Sequence, residues 1–284
     1  MSRARAYREA WSLLAPPGLL LMVVAAGPML YVLWLSLQDR TVFRAPTFAG
    51  LDNYARLATD GRFWNALGNT LYFSVVSVAL ELALGLGIAL LLARAGRARS
   101  LAYGVLLLPW AIPTVVSARM WEWIYNAEFG VLNYLLGARV NWLGDPLLAL
   151  HAAIAMDVWK ATPFVALLLL AALQGIPRDL YRAAAVDGAS AWTTFSRVTL
   201  PLLAPVMLVA VVFRTIDALR VFDSIYVLTG GGPANGTETL SIYAYKVLFQ
   251  TLDFGYGSAL AVVVLVVTAV AALGYARLLR GGAE

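Results

Sequence analysis

Long runs of apolar residues alternate with short polar segments along most of this chain. A helix needs about 20 apolar residues to cross roughly 30 Å of hydrocarbon, and six runs are long enough. They cover residues 12–36, 67–93, 101–126, 148–173, 201–228 and 258–279. Because lipid offers the backbone no hydrogen-bond partner, these runs predict six membrane-crossing helices. We expect residues 1–284 to form a single transmembrane domain.

The composition supports this prediction and excludes several classes of enzyme. The chain is 61% apolar and 13% charged, whereas soluble domains average about 45–50% and about 25%. It contains no cysteine, which excludes a disulfide framework, a thiolate nucleophile and a cysteine metal site. His151 is the only histidine, which excludes a histidine metal cluster and a Ser-His-Asp triad. We therefore predict an all-α integral membrane protein with no metal site and no catalytic residues.

Basic residues are concentrated in alternate polar segments, and the other polar segments mix them with acids. The concentrated set is Arg3, Arg5, Arg8, Arg94, Arg97, Arg99, Arg178, Arg182, Arg197, Arg277 and Arg280. Cytoplasmic loops of membrane proteins carry an excess of Lys and Arg. This distribution predicts that both termini and the loop at 174–201 face the cytoplasm.

The loop at 174–201 separates the fourth and fifth spans and has its own helix signals. Pro177 suits the first helical position, and Asp179 in the first turn favours the helix dipole. Gly188 is placed to end this helix in a left-handed cap. Ser190 can cap a second short helix reaching about residue 197, and Pro201 starts the fifth span. From the pattern alone, the loop is either a docking segment or a helical hairpin under its own bundle.

The spacing of this loop resembles a family motif. Arg182-Ala183-Ala184 is followed by Gly188 and then by Val198, Leu200 and Pro201. This order resembles the "EAA" loop of permease subunits in binding-protein-dependent ABC importers. Other segments resemble carbohydrate permeases of the maltose and glycerol-phosphate type: LDNYARL (51–57), FWNALGNTLYF (63–73), LPWAIPTVV (108–116), WEWIYNAEFGVLNYLL (121–136) and FDSIYVLTGGGP (222–233).

The resemblance implies a type I ABC importer permease fold in the bacterial cytoplasmic (inner) membrane, with the loop as a coupling helix. The implied partners are a second permease subunit, two cytoplasmic ATPase subunits and an external binding protein that delivers a sugar. No Walker A motif is present, so the partner ATPase is expected to bind ATP and Mg. The implied ATPase-docking residues are Tyr181, Arg182, Ala183, Ala184, Asp187 and Gly188. Arg182 departs from the family pattern, which usually has Glu there.

Charged residues inside the spans are the candidate substrate groups, since insertion of each costs about 2.5–3.5 kcal/mol. They are Asp157 and Lys160 in span four, and Arg214, Asp217, Arg220 and Asp223 in span five. The charges either pair with each other to hold helices together or line a hydroxyl-binding path. By position in the resembling segments, Asp157 and Asp217 would accept from sugar hydroxyls and Lys160 and Arg214 would donate. Phe164 would stack against the sugar or close the path.

Several alternatives remain at this stage. Arg and Lys in the path would also suit an anion such as glycerol phosphate, or another polyol. The same charges would suit an ion-coupled secondary transporter. An intramembrane aspartyl enzyme using Asp217 and Asp223 would need a GxGD motif, which the chain lacks. Glu81, and Arg119 with Glu122, are interpreted as structural ion pairs or boundary residues.

Overall fold

Helices account for most of the computed structural model, which describes residues 3–94 and 99–281. Among the basic residues that predict the orientation, Arg97 lies outside the described residues. The side chains of Arg3, Arg5, Arg8, Arg99 and Arg280 also lie outside them.

The helices follow the apolar runs of the sequence, with short helices in the polar connections. In chain order they are α1 (Arg3–Leu21), α2 (Gly27–Ser36), α3 (Asp52–Thr59), α4 (Gly61–Arg94), α5 (Arg99–Ala111), α6 (Thr114–Ile124), α7 (Val131–Leu136), α8 (Pro146–Gly175), α9 (Arg178–Val186), α10 (Ala191–Thr194), α11 (Leu200–Leu219), α12 (Asp223–Leu228), α13 (Leu240–Phe249) and α14 (Phe254–Gly281). Two π-helical turns, Met22–Ala26 and Phe195–Thr199, join α1 to α2 and α10 to α11. Strands β1 (Gln38–Asp39) and β2 (Thr47–Phe48) pair antiparallel, Gln38 opposite Phe48.

Five helices among the described residues are long and apolar enough to cross a membrane. They are Trp11–Ser36, Gly61–Arg94, Pro146–Gly175, Ala191–Leu219 and Phe254–Arg277. A bent pair, Ala102–Ala111 with Thr114–Ile124, makes a sixth when it is counted as one span. The prediction of an all-α membrane protein with six spans is therefore confirmed.

The third span is broken, whereas the sequence predicted one run over 101–126. Its two halves, α5 and α6, meet at an angle of 97°. Pro113 lies at the break with φ −54° and ψ 139°. Proline has no N–H for the helical bond to the residue four positions earlier, and it disfavours helical geometry in the residue before it. The break therefore follows from the local sequence.

The fifth span also differs from its prediction over 201–228. The helix begins earlier, at Ala191, and ends at Leu219. The second short helix of the loop, α10, is therefore part of the span. The helix widens into the π-helical turn Phe195–Thr199 shortly before Pro201, because the proline nitrogen cannot donate the next α-helical bond. After Leu219 the backbone leaves the helix at Arg220, and α12 begins separately at Asp223. The predicted span was too long at this end because the apolar run continues past the charged residues.

By internal contacts the chain separates into two compact units, Met1–Asp60 with Tyr243–Leu265 and Gly61–Ile242 with Val266–Glu284. In the first unit, the Asn53 amide donates to the carbonyls of Ser36 and Gln38, both at 2.9 Å. The carboxylate of Asp60 accepts from the hydroxyls of Tyr243 and Tyr256. The Asn53 bonds tie the end of α2 and the residues after it to α3. The Asp60 bonds tie the end of α3 to α13 and to the start of α14.

In the second unit, α8 is the most enclosed of the long unbroken spans. Sixty-one per cent of its most apolar stretch is buried, against 33% for α4 and 28% for Ala191–Leu219. A Cβ built on Gly85 of α4 would lie 2.7 Å from Val165 Cγ1 of α8. Only a residue without a side chain permits this approach, so Gly85 allows α4 and α8 to pack closely at this point.

Candidate functional site

The candidate docking loop has the local geometry that its sequence predicts. Gly188 has φ +71°, in the left-handed region. The Ala189 N–H donates to the Ala184 carbonyl at 2.9 Å, and the Gly188 N–H to the Ala185 carbonyl at 3.1 Å. These two bonds form a Schellman cap that ends α9. The Ser190 hydroxyl accepts from the Thr193 N–H at 3.1 Å and caps the next helix.

Most of the predicted docking residues lie on an exposed surface. Ala183, Asp187 and Gly188 are exposed, and Ala184 is half-buried. The Arg182 guanidinium donates to Asp179 at 2.9 Å, and both side chains are at least three-quarters exposed. Such a surface pair is worth about 0.2–1 kcal/mol, so Arg182 can exchange this partner at little cost.

Tyr181 lies on the opposite, inner side of the docking loop. It is half-buried, and its hydroxyl is 3.2 Å from Thr199 Oγ1. Thr199 is buried in the π-helical turn that leads into α11. Tyr181 therefore connects α9 to the π-helical turn before α11. Like Ala184, it is less accessible to a partner than the four exposed predicted residues.

A buried ion cluster joins three spans around Arg214 of α11. Its guanidinium contacts both oxygens of Glu81 from α4, with Nε 2.6 Å from Oε2 and Nη2 2.9 Å from Oε1. Nη2 also donates to Oδ2 of Asp157 from α8 at 3.0 Å. Glu81 is fully buried, and Arg214 and Asp157 are 12% and 15% exposed. A fork of N–H groups that matches a carboxylate is among the strongest polar contacts in proteins.

The cluster continues to the protein surface through Asp217. This carboxylate is 3.7 Å from Arg214 Nη1 and accepts from Arg220 Nη2 at 2.8 Å. Its side chain is 51% exposed. Asp217 is thus the carboxylate of the cluster most open to a solute.

Two predicted path residues on α8 make their contacts at the bend between α5 and α6. Lys160 Nζ donates to the carbonyl of Ile112 and, at 3.4 Å, to that of Pro109. The Pro109 carbonyl is the one that would normally accept from residue 113, and Pro113 has no N–H. The ring of Phe164 stacks on Trp110 with a centroid distance of 6.5 Å. Both side chains therefore brace the broken span.

The sequence interpretation of Glu81 and of Arg119 with Glu122 as ion pairs is confirmed, although the two pairs differ. Arg119 and Glu122 form an exposed contact of 2.6 Å within α6. Glu81 instead pairs across helices, with a partner 133 positions away. Glu81 is the only acidic residue in α4, which marks it in the sequence. Its partner could not be predicted from the sequence, because the pairing depends on how the helices pack. No cluster of three or more acids or histidines suited to a metal occurs in the part of the chain that the structure describes.

Comparison with known proteins identifies the family. Residues 82–281 match the family model described as binding-protein-dependent transport system inner membrane component. That match covers most of the chain, and the broken six-span helical architecture agrees with it. The chain belongs to this family, the permease subunits of ABC importers, and the resemblance stated from its sequence is confirmed.

Relatives and solved structures extend over nearly the whole chain. It is 46% identical over 268 residues to the trehalose/maltose transport system permease protein MalF of Thermococcus litoralis, covering 92% of this chain and 90% of the relative. It is 41% identical over 285 residues to the trehalose transport system permease protein SugA of Mycobacterium tuberculosis, covering 99% and 92%. A bacterial alginate ABC transporter, solved with an alginate-bound periplasmic protein, matches with a TM-score of 0.84 at 25% identity, covering 95% of this chain and 93% of the other. The chain is a multi-pass permease of the inner membrane.

Proposed function

We propose that this chain moves a sugar across the cytoplasmic membrane as one permease subunit of an ATP-driven importer. The observation that carries the proposal is the near full-length similarity to permeases named for trehalose and maltose. Family membership sets aside an ion-coupled secondary transporter and an intramembrane aspartyl enzyme. Residues 1–284 would act together as the single permease domain.

The transporter would consist of this chain, a second permease, two cytoplasmic ATPase subunits and an external binding protein. The ATPase subunits would bind ATP and Mg, because the sequence has no Walker A motif of its own. Closure of the ATPase pair would draw the docking loops together and rock the spans between inward-open and outward-open states. Both termini and the docking loop would then face the cytoplasm, as the basic residues of the sequence predict.

Asp217 is the best candidate to accept a hydrogen bond from a sugar hydroxyl, since it is half exposed and adjoins the buried cluster. Asp157 and Arg214 lie behind it and already pair with each other. They and Lys160 would contact the sugar only after leaving their present partners, which we expect when the spans rearrange. Phe164 would act by holding the bend beside Trp110.

Charge pairing favours a neutral sugar over glycerol phosphate as the transported solute. Arg214 is shared by two carboxylates at hydrogen-bonding distance. Lys160 donates to backbone carbonyls, and Arg220 donates to Asp217. A phosphate would have to displace these partners, whereas a hydroxyl can bind a carboxylate such as Asp217 directly.

Uptake into vesicles tests the transported solute. The complete transporter would be reconstituted with ATP inside, and the binding protein with labelled trehalose or maltose outside. We expect ATP-dependent uptake that persists with an uncoupler and falls at least tenfold in Asp217→Asn. Glu122→Gln, in a surface pair, serves as the control and should transport normally. Uptake of glycerol phosphate in place of either sugar would refute the sugar assignment.

Capture of the ATPase tests the docking loop. Gly188→Val should abolish capture because a β-branched residue resists the left-handed conformation that Gly188 adopts. Gly188→Asn is the matched control, since Asn tolerates this conformation and a Cβ at residue 188 meets nothing within 4 Å. If both variants insert and bind the ATPase equally, the cap of α9 has no role in docking.

A further inference from the structure

A cleft lies between the docking loop and the ends of two spans, in the second compact unit. Its volume is about 1020 Å³. Leu90 and Ala93 line it from the end of α4, and Leu173 and Ile176 from the end of α8. This size is at the upper end of small-molecule pockets, about 300–1,000 Å³.

The cleft is positively charged. Arg94 and Arg178 both line it, and its described lining includes no Asp or Glu. Both arginines are exposed, and neither has an ion-pair partner among the residues that the structure describes. The contrast with Arg182, Arg214 and Arg220 is direct, because each of those donates to a carboxylate. These two guanidinium groups are therefore available to an anion from outside the chain.

The cleft has an apolar part on the spans and a basic part at the helix ends, so it matches the acyl chains and the charged headgroup of an amphiphile. Leu90 and Leu173 belong to helices that span the membrane, whereas Arg94 is in the last turn of α4 and Arg178 begins α9. Trp192, an amphipathic side chain of the kind found at membrane interfaces, also lines the cleft. Basic pockets between the ends of membrane helices bind anionic lipid headgroups. We propose that this cleft binds an anionic phospholipid, with its phosphate between Arg94 and Arg178 and its acyl chains against Leu90 and Leu173.

A lipid in this position would contact the docking loop. Tyr181 and Ala185 of α9 line the same cleft, and Tyr181 is hydrogen-bonded to Thr199 in the π-helical turn before α11. Lipid binding would therefore stabilise the position of α9 against the spans. The site depends neither on which solute is transported nor on the intramembrane ion cluster.

Native mass spectrometry of the purified chain tests the site. The delipidated protein would be titrated with phosphatidylglycerol and, separately, with phosphatidylcholine of the same acyl chains. We expect at least tenfold tighter binding of phosphatidylglycerol. Each arginine near a membrane surface contributes on the order of fivefold, so Arg94→Gln with Arg178→Gln should weaken binding roughly 25-fold. The variant with both arginines changed to Lys keeps the charge and should retain most of the affinity.

The matched control removes the same charge from the same predicted side. Arg197 and Arg277 are exposed and do not line the cleft, so Arg197→Gln with Arg277→Gln should bind as wild type does. Equal loss in this control, or equal binding of the two lipids, would overturn the proposal. Displacement of the lipid by millimolar inorganic phosphate would make a soluble anion the ligand. If the Arg94 and Arg178 variant keeps its lipid but no longer captures the ATPase, the cleft is a protein contact instead.

Discussion

Replacement of Glu81 by Gln tests whether the buried cluster holds the spans together. Glu81 is fully buried and provides two of the three close contacts to Arg214. Removal of one partner from a buried ion pair costs about 3–5 kcal/mol. Asp157 still faces the guanidinium at 3.0 Å, and the Gln carbonyl can accept one bond. We therefore expect Glu81→Gln to lower the free energy of unfolding by about 3 kcal/mol, the lower end of this range.

The structure also predicts an order of effects across the carboxylates. Asp157→Asn removes one charged hydrogen bond from a side chain that is 15% exposed, and it should cost about 1.5–3 kcal/mol. Glu122→Gln removes a pair whose side chains are 63% and 38% exposed, and it should cost at most about 1 kcal/mol. The expected order is therefore Glu81, then Asp157, then Glu122.

These differences can be measured by unfolding the purified chain in mixed micelles. The fraction of denaturing detergent is increased, and unfolding is followed by circular dichroism. The free energy of unfolding is compared for wild type and the three variants under identical lipid and detergent. Equal losses for Glu81→Gln and Glu122→Gln would refute the reasoning, since burial and the paired contacts would then contribute nothing. A larger loss for Asp157→Asn than for Glu81→Gln would place the centre of the cluster on α8 instead.

Two further predictions concern the packing of the spans. Lys160→Met should lower the free energy of unfolding by about 1–3 kcal/mol, because the Pro109 carbonyl that Pro113 leaves unpaired then loses its donor. In the same assay, adding Pro113→Ala to Lys160→Met should recover part of this loss by supplying an N–H. If it recovers nothing, Lys160 does not brace the broken span. Gly85→Ala should cost about 1–3 kcal/mol, because its Cβ would lie 2.7 Å from Val165 Cγ1. Gly87→Ala is its control, because a Cβ built on Gly87 meets nothing within 4 Å. The gain in helix propensity should make this control neutral or stabilising by up to about 1 kcal/mol. Similar losses of stability at both positions would exclude a close approach of α4 and α8 at Gly85.

Much of the architecture was predictable from local sequence. The apolar runs identified the spans because membrane helices satisfy their own backbone bonds, whatever lies beside them. The positive φ of Gly188 and the cap at Ser190 were predictable for the same reason, since both depend on bonds within a few residues. The break at Pro113 follows from local chemistry as well, but its angle of 97° does not.

The candidate site was predictable only in part. Asp157, Arg214 and Asp217 are predictable as candidate substrate groups because charges inside spans are costly to insert into a membrane. The structure brings these three residues together. Lys160 was selected by the same criterion, yet it donates to carbonyls at a break in another span. Spacing along the sequence can indicate the contacts of Asp217 with Arg214 and Arg220, which are three positions apart. It could not show that Glu81 and Asp157 reach Arg214 from other helices, or that Lys160 reaches the end of α5.

The sequence by itself determined the class of this protein: a helical membrane permease with a polar loop at 174–201 and no Walker A motif. Hydrophobic length, proline and glycine positions and helix caps act over one or two turns, so they can be read in order along the chain. The tertiary structure alone decided that Glu81 meets Arg214 across 133 positions, and that Arg94 and Arg178 share a cleft. A buried charge or an unpaired arginine acquires its role from whatever the packing of other helices places against it.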